Sequence, residues 1–271
     1  MRSMPSGITV IVEEFIEKIE TAFPGFLQGF YLYGSISLGA FQKGMSDIDF
    51  IAVIKQHPTV DEMDKLKNIH KQMHKKFSGY SLDGYYLVKD ELEAEDQRII
   101  SSHYFSEGKF KGKKSFHKDS IDAFQIKKYG IIIKGQQVDY SVDFDIVVKN
   151  QKDNINTYWQ NWLDSCKRFP SINYVGFYMS TGSIEWGVLG VTRLYYTIRE
   201  KDMTSKVGAG EYALDSVPER WHKILEEAIR WRKGIKKSKY RSIWKRRADA
   251  LAYMEYVIGE CNAMAEKRGS R

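Results

Sequence analysis

The stretch Tyr33-Gly34-Ser35-Ile36-Ser37-Leu38-Gly39-Ala40, followed by Met45-Ser46-Asp47-Ile48-Asp49-Phe50, decides how this chain is read. It lies between two apolar runs, Phe26 to Tyr33 and Ile48 to Ile54, each of strand length. Between the runs come small residues, a Gly-Ser turn, a second glycine and two acids spaced i, i+2. In a strand that spacing puts both side chains on one face, so Asp47 and Asp49 present paired carboxylates while Ile48 turns into the sheet. Like charges held so close repel unless something neutralises them. Mg²⁺ suits this pair, because it takes one or two protein carboxylates and completes its shell with water and substrate phosphate. Gly34 and Ser35 stand ahead of the acids, where backbone N–H groups and a hydroxyl can cradle a phosphate. The two halves together describe a metal-assisted nucleotide site.

Outward from this stretch, Ile8 to Phe23 carries Ile11, Phe15, Ile19 and Phe23 at helical spacing, and Pro24-Gly25 ends it. Val60 to Phe77 is a second amphipathic helix, with Met63, Leu66, Ile69 and Met73 on one face. Ser81 to Lys89 reads as a third strand carrying Asp83. Residues 90–108 are polar and read as partly helical, and 109–118 as a basic loop. Ser120 to Tyr129 reads as a helix, and Ile131 to Ile133 is a short apolar run closed by Lys134-Gly135. Asp139, Asp143 and Asp145 alternate like the solvent face of a strand and read as linker. From about Asp153 helical patterns dominate: 154–169, stopped by Pro170, then 186–199, 218–231 with Pro218 in its first turn, and 242–267. The expected fold is α+β. A mixed sheet with flanking helices over 1–150 is followed by an all-α bundle over 151–271.

With 271 residues, 42% apolar, the chain is long enough for two modest cores. Its net charge of +7 points to an anionic partner. The densest basic run, Arg230 to Arg247, reads as a solvated helix face and loop. Cys166 and Cys261 match no metal spacing or disulfide framework and suit a reducing cytoplasm. Met1 to Pro5 lacks the pattern of a secretory leader, and no apolar run reaches the roughly 18 residues of a spanning helix. His70 and His74 lie i, i+4 without the Glu of a zinc motif, and read as solvent-facing.

The Gly34-Ser35 … Ser46-Asp47-Ile48-Asp49 pattern resembles the nucleotidyltransferase superfamily, the DNA polymerase β-like fold. The rest of the chain narrows this. Tyr33-Gly34-Ser35 with Ser46-Asp47-Ile48-Asp49, the helix Leu189-Gly190-Val191-Thr192-Arg193-Leu194-Tyr195-Tyr196, then Ser205-Lys206, Ala213-Leu214 and Val217-Pro218 are similar to the aminoglycoside (streptomycin/spectinomycin) adenylyltransferases. Lys127 to Gly135 resembles the segment that precedes their second domain.

The resemblance implies transfer of AMP from ATP, with Mg²⁺, to a hydroxyl of an aminocyclitol antibiotic, and so antibiotic resistance. Asp47 and Asp49 match the metal-binding pair, Gly34, Ser35 and Ser46 the residues near the triphosphate, and Arg193 and Lys206 the basic residues that reach phosphates from the second domain. Asp83 stands where the family usually has a Glu that takes the proton from the attacking hydroxyl. One methylene shorter, it could be that base or a third metal ligand. Glu185 and Trp186 are the acceptor-side candidates. ATP and a small cationic molecule are the expected partners. No membrane and no nucleic acid is expected, and a monomer with two domains closing on one cleft would suffice. The competing readings are a nucleotidyltransferase acting on a tRNA end, a protein side chain or a metabolite, and a non-catalytic, antitoxin-like module that kept the fold.

Overall fold

The computed structural model describes residues 4–269, so the absence of a leader over Met1 to Ser3 is a reading that lies outside it. The chain divides into two compact units, Met1–Val147 and Val148–Arg271. Among the described residues, no helix is long and apolar enough to cross a membrane.

In the first unit the elements run α1 (Ser6–Ala22), β1 (Leu27–Leu32), α2 (Gly34–Ser37), β2 (Ile48–Ile54), α3 (Val60–Lys76), β3 (Leu82–Val88), α4 (Lys89–Glu93), β4 (Ile99–Ser106), β5 (Lys109–His117), α5 (Ile121–Tyr129) and β6 (Ile131–Lys134). Six strands form one mixed sheet in the order β5-β4-β3-β2-β1-β6. The pair β2–β3 is parallel and the other neighbours are antiparallel. The parallel pair requires a crossover, and α3 provides it. A capping box starts α3, with Thr59 and Glu62 satisfying each other's backbone N–H groups.

Alternation along the strands divides the core between the two faces of the sheet. Phe30, Leu32, Phe50, Ala52 and Tyr86 face α1 and α3, where Phe15, Ile19, Leu66 and Met73 cover them. Tyr31, Tyr33, Ile51, Val53 and Leu87 face the other way, toward Ala123 and Ile126 of α5. The start of β2 and the end of β1 open on that second face. His70, expected in solvent, is 1% exposed inside the first layer: its ring stacks on Phe105 at 3.9 Å and meets the Tyr86 hydroxyl at 2.9 Å. His74 does face solvent.

Two segments differ from the sequence reading. The supposed partly helical stretch and basic loop form the hairpin β4–β5, in which Ser106 pairs with Lys109. Its two central residues, Glu107 and Gly108, have φ of 51° and 71°, which the tight hairpin turn requires. The supposed linker strand, with Asp143 and Asp145, is the start of a helix, α6 (Phe144–Asn154), and the division between the units falls within it. Asp143 caps that helix through the N–H groups of Asp145 and Ile146.

The second unit is helical. A π-turn, Ile155–Trp159, joins α6 to α7 (Gln160–Lys167). There follow α8 (Ile172–Met179), α9 (Thr181–Glu200), α10 (Lys206–Ser216), α11 (His222–Arg232) and α12 (Ile243–Gly269). Helix α9 is the hub, buried at Ile184, Glu185, Gly187 to Thr192, Tyr195, Thr197 and Ile198. Its Gly190 lets the Trp159 ring lie directly on the backbone, where a Cβ would clash.

Candidate active site

In the first unit the site is built at the end of β1 and the beginnings of β2 and β3. Tyr33 bonds its N–H to the Asp49 carbonyl at 3.0 Å, and the chain then turns sharply at Gly34, φ +62°. A Cβ on Gly34 would fall onto the Asp49 carboxylate, with Oδ2 nearest. The glycine therefore does two things: it accepts a left-handed backbone, and it leaves room for an acid to lie against the loop. Ser35, next in the chain, keeps its hydroxyl oxygen buried without a hydrogen-bond partner. Such an atom is one that a bound ligand oxygen would satisfy.

The acids arrange themselves differently from the spacing argument. Strand β2 begins at Ile48, so Asp47 stands just before it and is exposed. The acid that shares a sheet face with Asp49 is Asp83, its register partner across the parallel ladder. Neighbouring strands lie about 4.8 Å apart, so these two carboxylates are adjacent, and Asp47 approaches from the preceding loop. Asp83, which an Asp-Gly reading would put in a turn, lies inside β3. Its Oδ1 accepts from the Ser81 hydroxyl and from the Glu107 N–H at 3.2 Å, and its Oδ2 accepts from the Ser106 hydroxyl at 2.6 Å. Ser46 closes the loop ahead of the acids: its N–H donates to the Gln42 carbonyl at 2.9 Å and its Oγ accepts from the Gln42 N–H at 3.2 Å.

Tyrosines line the same face. Burial first, then the nearby Asp122 and Asp49 carboxylates, raise Tyr33 well above its ordinary value and push Tyr85 up to about 12. Burial and Asp83 raise Tyr104 as well. None of these hydroxyls can serve as a base near neutral pH. Gln125 of α5, 2% exposed, donates to the Gly34 carbonyl at 2.7 Å and the Ser37 hydroxyl at 2.9 Å. It anchors the Gly-Ser loop from behind. Nothing in the sequence marks it, because one glutamine in a helix carries no pattern.

The second unit gathers its own expected residues. Lys206 opens α10, with Ser205 as the cap. Its Nζ lies 3.1 Å from Glu185 Oε1 and 4.4 Å from the centre of the Trp186 ring. Arg193 acts on it electrostatically. Arg232 of α11 joins the group, 3.6 Å from Glu185, although the sequence reading left it within the basic run. Burial chiefly lowers Lys206 to about 8; Glu185 opposes that shift, and Arg232 and Arg193 add to it. Trp186 is 46% exposed, whereas Glu185 is 4% exposed and already holds two cations.

Comparison with known proteins agrees with this division. Residues 12–104 match the nucleotidyltransferase domain, and residues 180–258 match the aminoglycoside adenylyltransferase C-terminal domain. No curated protein matches the chain. Among solved structures, the spectinomycin adenyltransferase AAD(9) from Enterococcus faecialis, crystallised with ATP and spectinomycin, is similar in fold with a TM-score of 0.66. The likeness covers 92% of this chain and 99% of that one at 16% identity. The first unit carries the nucleotidyltransferase domain and the second the adenylyltransferase C-terminal domain, so this enzyme belongs to the aminoglycoside adenylyltransferase family of the nucleotidyltransferase superfamily.

Proposed function

We propose that the enzyme transfers AMP from ATP, with Mg²⁺, to a hydroxyl of a small aminocyclitol or aminoglycoside of the spectinomycin or streptomycin type, and so gives resistance to it. The observation that carries this reading is the register of β2 and β3, which sets Asp83 beside Asp49 at the Gly34 loop.

Asp47 and Asp49 would hold the ion. Their hard oxygens suit Mg²⁺, the Asp49 carboxylate has its place against Gly34, and the orphaned Ser35 hydroxyl suits a phosphate oxygen. Such an ion completes its shell with water and substrate oxygens. When bound, it supplies charge neutralisation at the phosphate and its leaving group. Ser46 fixes the loop that presents Asp47. Asp83, oriented by three donors, takes the proton from the attacking hydroxyl, since the tyrosines around it keep theirs. As an alternative role it ligates the ion. In the second unit Arg193 and Lys206 offer fixed positive charge to phosphate oxygens. The exposed Trp186 ring is the acceptor-side group, a flat apolar face for a sugar-like ring. The two buried free cysteines fit a reducing cytoplasm, where ATP is also present, and a monomer contains every residue named.

The test is mass spectrometry of reactions containing ATP, Mg²⁺ and a panel of spectinomycin, streptomycin, other aminoglycosides, tRNA and a protein mixture. We expect one aminocyclitol to gain an AMP mass, and Asp47→Asn to abolish the gain. AMP found only on RNA or protein would refute the acceptor class, and full activity in Asp47→Asn would refute the metal assignment.

A further inference from the structure

The geometry points to Glu185 as a positioning residue for the nucleotide: its carboxylate holds Lys206 and Arg232 in place for phosphate oxygens and is no ligand of the acceptor's amine. This rests on the adenylyl-transfer reading and moves Glu185 from the acceptor's side to ATP's. Three helices meet in this arrangement. Glu185 comes from α9, Lys206 from α10 and Arg232 from α11, and their side chains are 5%, 13% and 14% exposed. A carboxylate so enclosed, whose Oε1 has one cation of its own chain at 3.1 Å and another at 3.6 Å, is already committed to those two side chains.

Lys206 also stands where a lysine is disfavoured. It is the first residue of α10, and the positive end of a helix dipole repels an ammonium group. Burial works the same way. Glu185 opposes both, with the Trp186 ring 4.4 Å from the ammonium as a second favourable contact. The charged groups acting on Lys206 are Glu185 and Arg193 of α9 and Arg232 of α11. Burial first, then the two cations Arg232 and Arg193, favours loss of its proton and only Glu185 favours retention, leaving Lys206 at about 8. Removing the carboxylate while keeping its shape should therefore remove the proton from Lys206 within the working pH range. A polyphosphate would lose its partner, while a neutral or cationic acceptor would lose nothing.

The experiment is calorimetric ATP binding from pH 6.5 to 9.5, without acceptor, on wild type, Glu185→Gln, Glu185→Asp and the double variant Glu185→Gln/Arg232→Gln. Wild-type affinity should fall as pH rises through about 8. In Glu185→Gln the fall should begin about one pH unit lower or more, with ATP affinity at pH 7.5 reduced about threefold or more, since a one-unit drop from about 8 takes the protonated fraction there from about three quarters to about one quarter. Removing Arg232 as well takes away a repelling charge, so the double variant should recover part of the shift. Glu185→Asp keeps the charge and should keep the wild-type limb, which also covers the case of a Glu185→Gln that does not fold. The KM for the acceptor should be unchanged in all variants that fold. Unaltered ATP binding in Glu185→Gln together with a raised acceptor KM would overturn the inference, as would a displaced limb in Glu185→Asp. A wild type that binds no ATP at any pH would instead sink the adenylyl-transfer reading, and the inference with it.

Discussion

Gly34 joins backbone conformation to chemistry at a single residue. Its φ of +62° excludes most side chains, and the Asp49 carboxylate fills the space where a side chain would begin. Gly34→Ala should therefore cost about 1–3 kcal/mol of stability through backbone strain. Its effect on AMP transfer should be larger, about a hundredfold or more, because displacing a reacting group by an ångström is that costly. Urea denaturation and steady-state turnover measured on the same protein separate the two effects. A variant destabilised to this extent but fully active would show that Asp49 need not lie against the loop. The motif made Gly34, Ser35, Asp47 and Asp49 legible from the sequence, since small residues and acids between two apolar strands have few other uses. Gln125 was not legible, because its role comes from a contact across 91 residues to the Gly34 carbonyl. Asp83 was legible as a residue but not as the neighbour of Asp49, because register between strands separated by a helix is set by packing.

At the scale of elements, α3 carries a buried titratable group against the sheet. His70 lies among Phe15, Phe50, Tyr86 and Phe105, and burial lowers it to about 3. The native state refuses the proton that the unfolded chain accepts below about 6.5. The stabilisation is thus complete above that pH and is lost as pH falls from about 6.5 toward 3, at roughly 1.4 kcal/mol per unit. Urea denaturation at pH 7.5 and 5.5 should show wild type losing about 1 kcal/mol more than His70→Phe over that interval. The lost contact to the Tyr86 hydroxyl offsets the variant equally at both pH values, so equal losses in the two proteins would refute the assignment. The helices α1, α3, α9, α11 and α12 and the first three strands were legible because their apolar periods are regular, whereas the short α8 and α10 and the start of α6 were not. The β4–β5 hairpin was not, because its strands are edge-like and rich in lysine, serine and histidine. Its one local signal is Glu107-Gly108 between two runs of alternating character. That hairpin matters to the site: its turn supplies the Glu107 N–H and, just before it, the Ser106 hydroxyl that hold Asp83.

At the scale of the whole molecule, the net charge of +7 suggested an anionic partner, with Arg230 to Arg247 as its densest source. The structure gives most of that run internal work. Arg230 forms a two-pronged pair with Glu227, which is fully buried and also accepts from Ser238 and the Lys239 N–H. Arg232 pairs with Glu185, Lys233 with Glu211, Lys239 with Glu226 and Lys245 with Asp249. Arg246 binds Thr181 and the Tyr178 carbonyl, and Arg247 lies over the rings of Tyr174 and Tyr178. Sequence shows the basic residues as a block, but not the acids from other helices that interleave with them, so it overstates the field they present. The exposed cations of the run that lie outside these pairs are Lys236, Lys237 and Arg241, which are too few for a phosphate-tracking surface. Binding of a labelled tRNA, followed by fluorescence anisotropy from 50 to 300 mM salt, should therefore be weak, with a log–log slope corresponding to about two or three phosphate contacts. Excess tRNA should leave the proposed AMP transfer to an aminocyclitol unaffected. A slope corresponding to six or more contacts, with competition against ATP turnover, would mean that the paired cations open to nucleic acid, and would make an RNA end the acceptor to pursue.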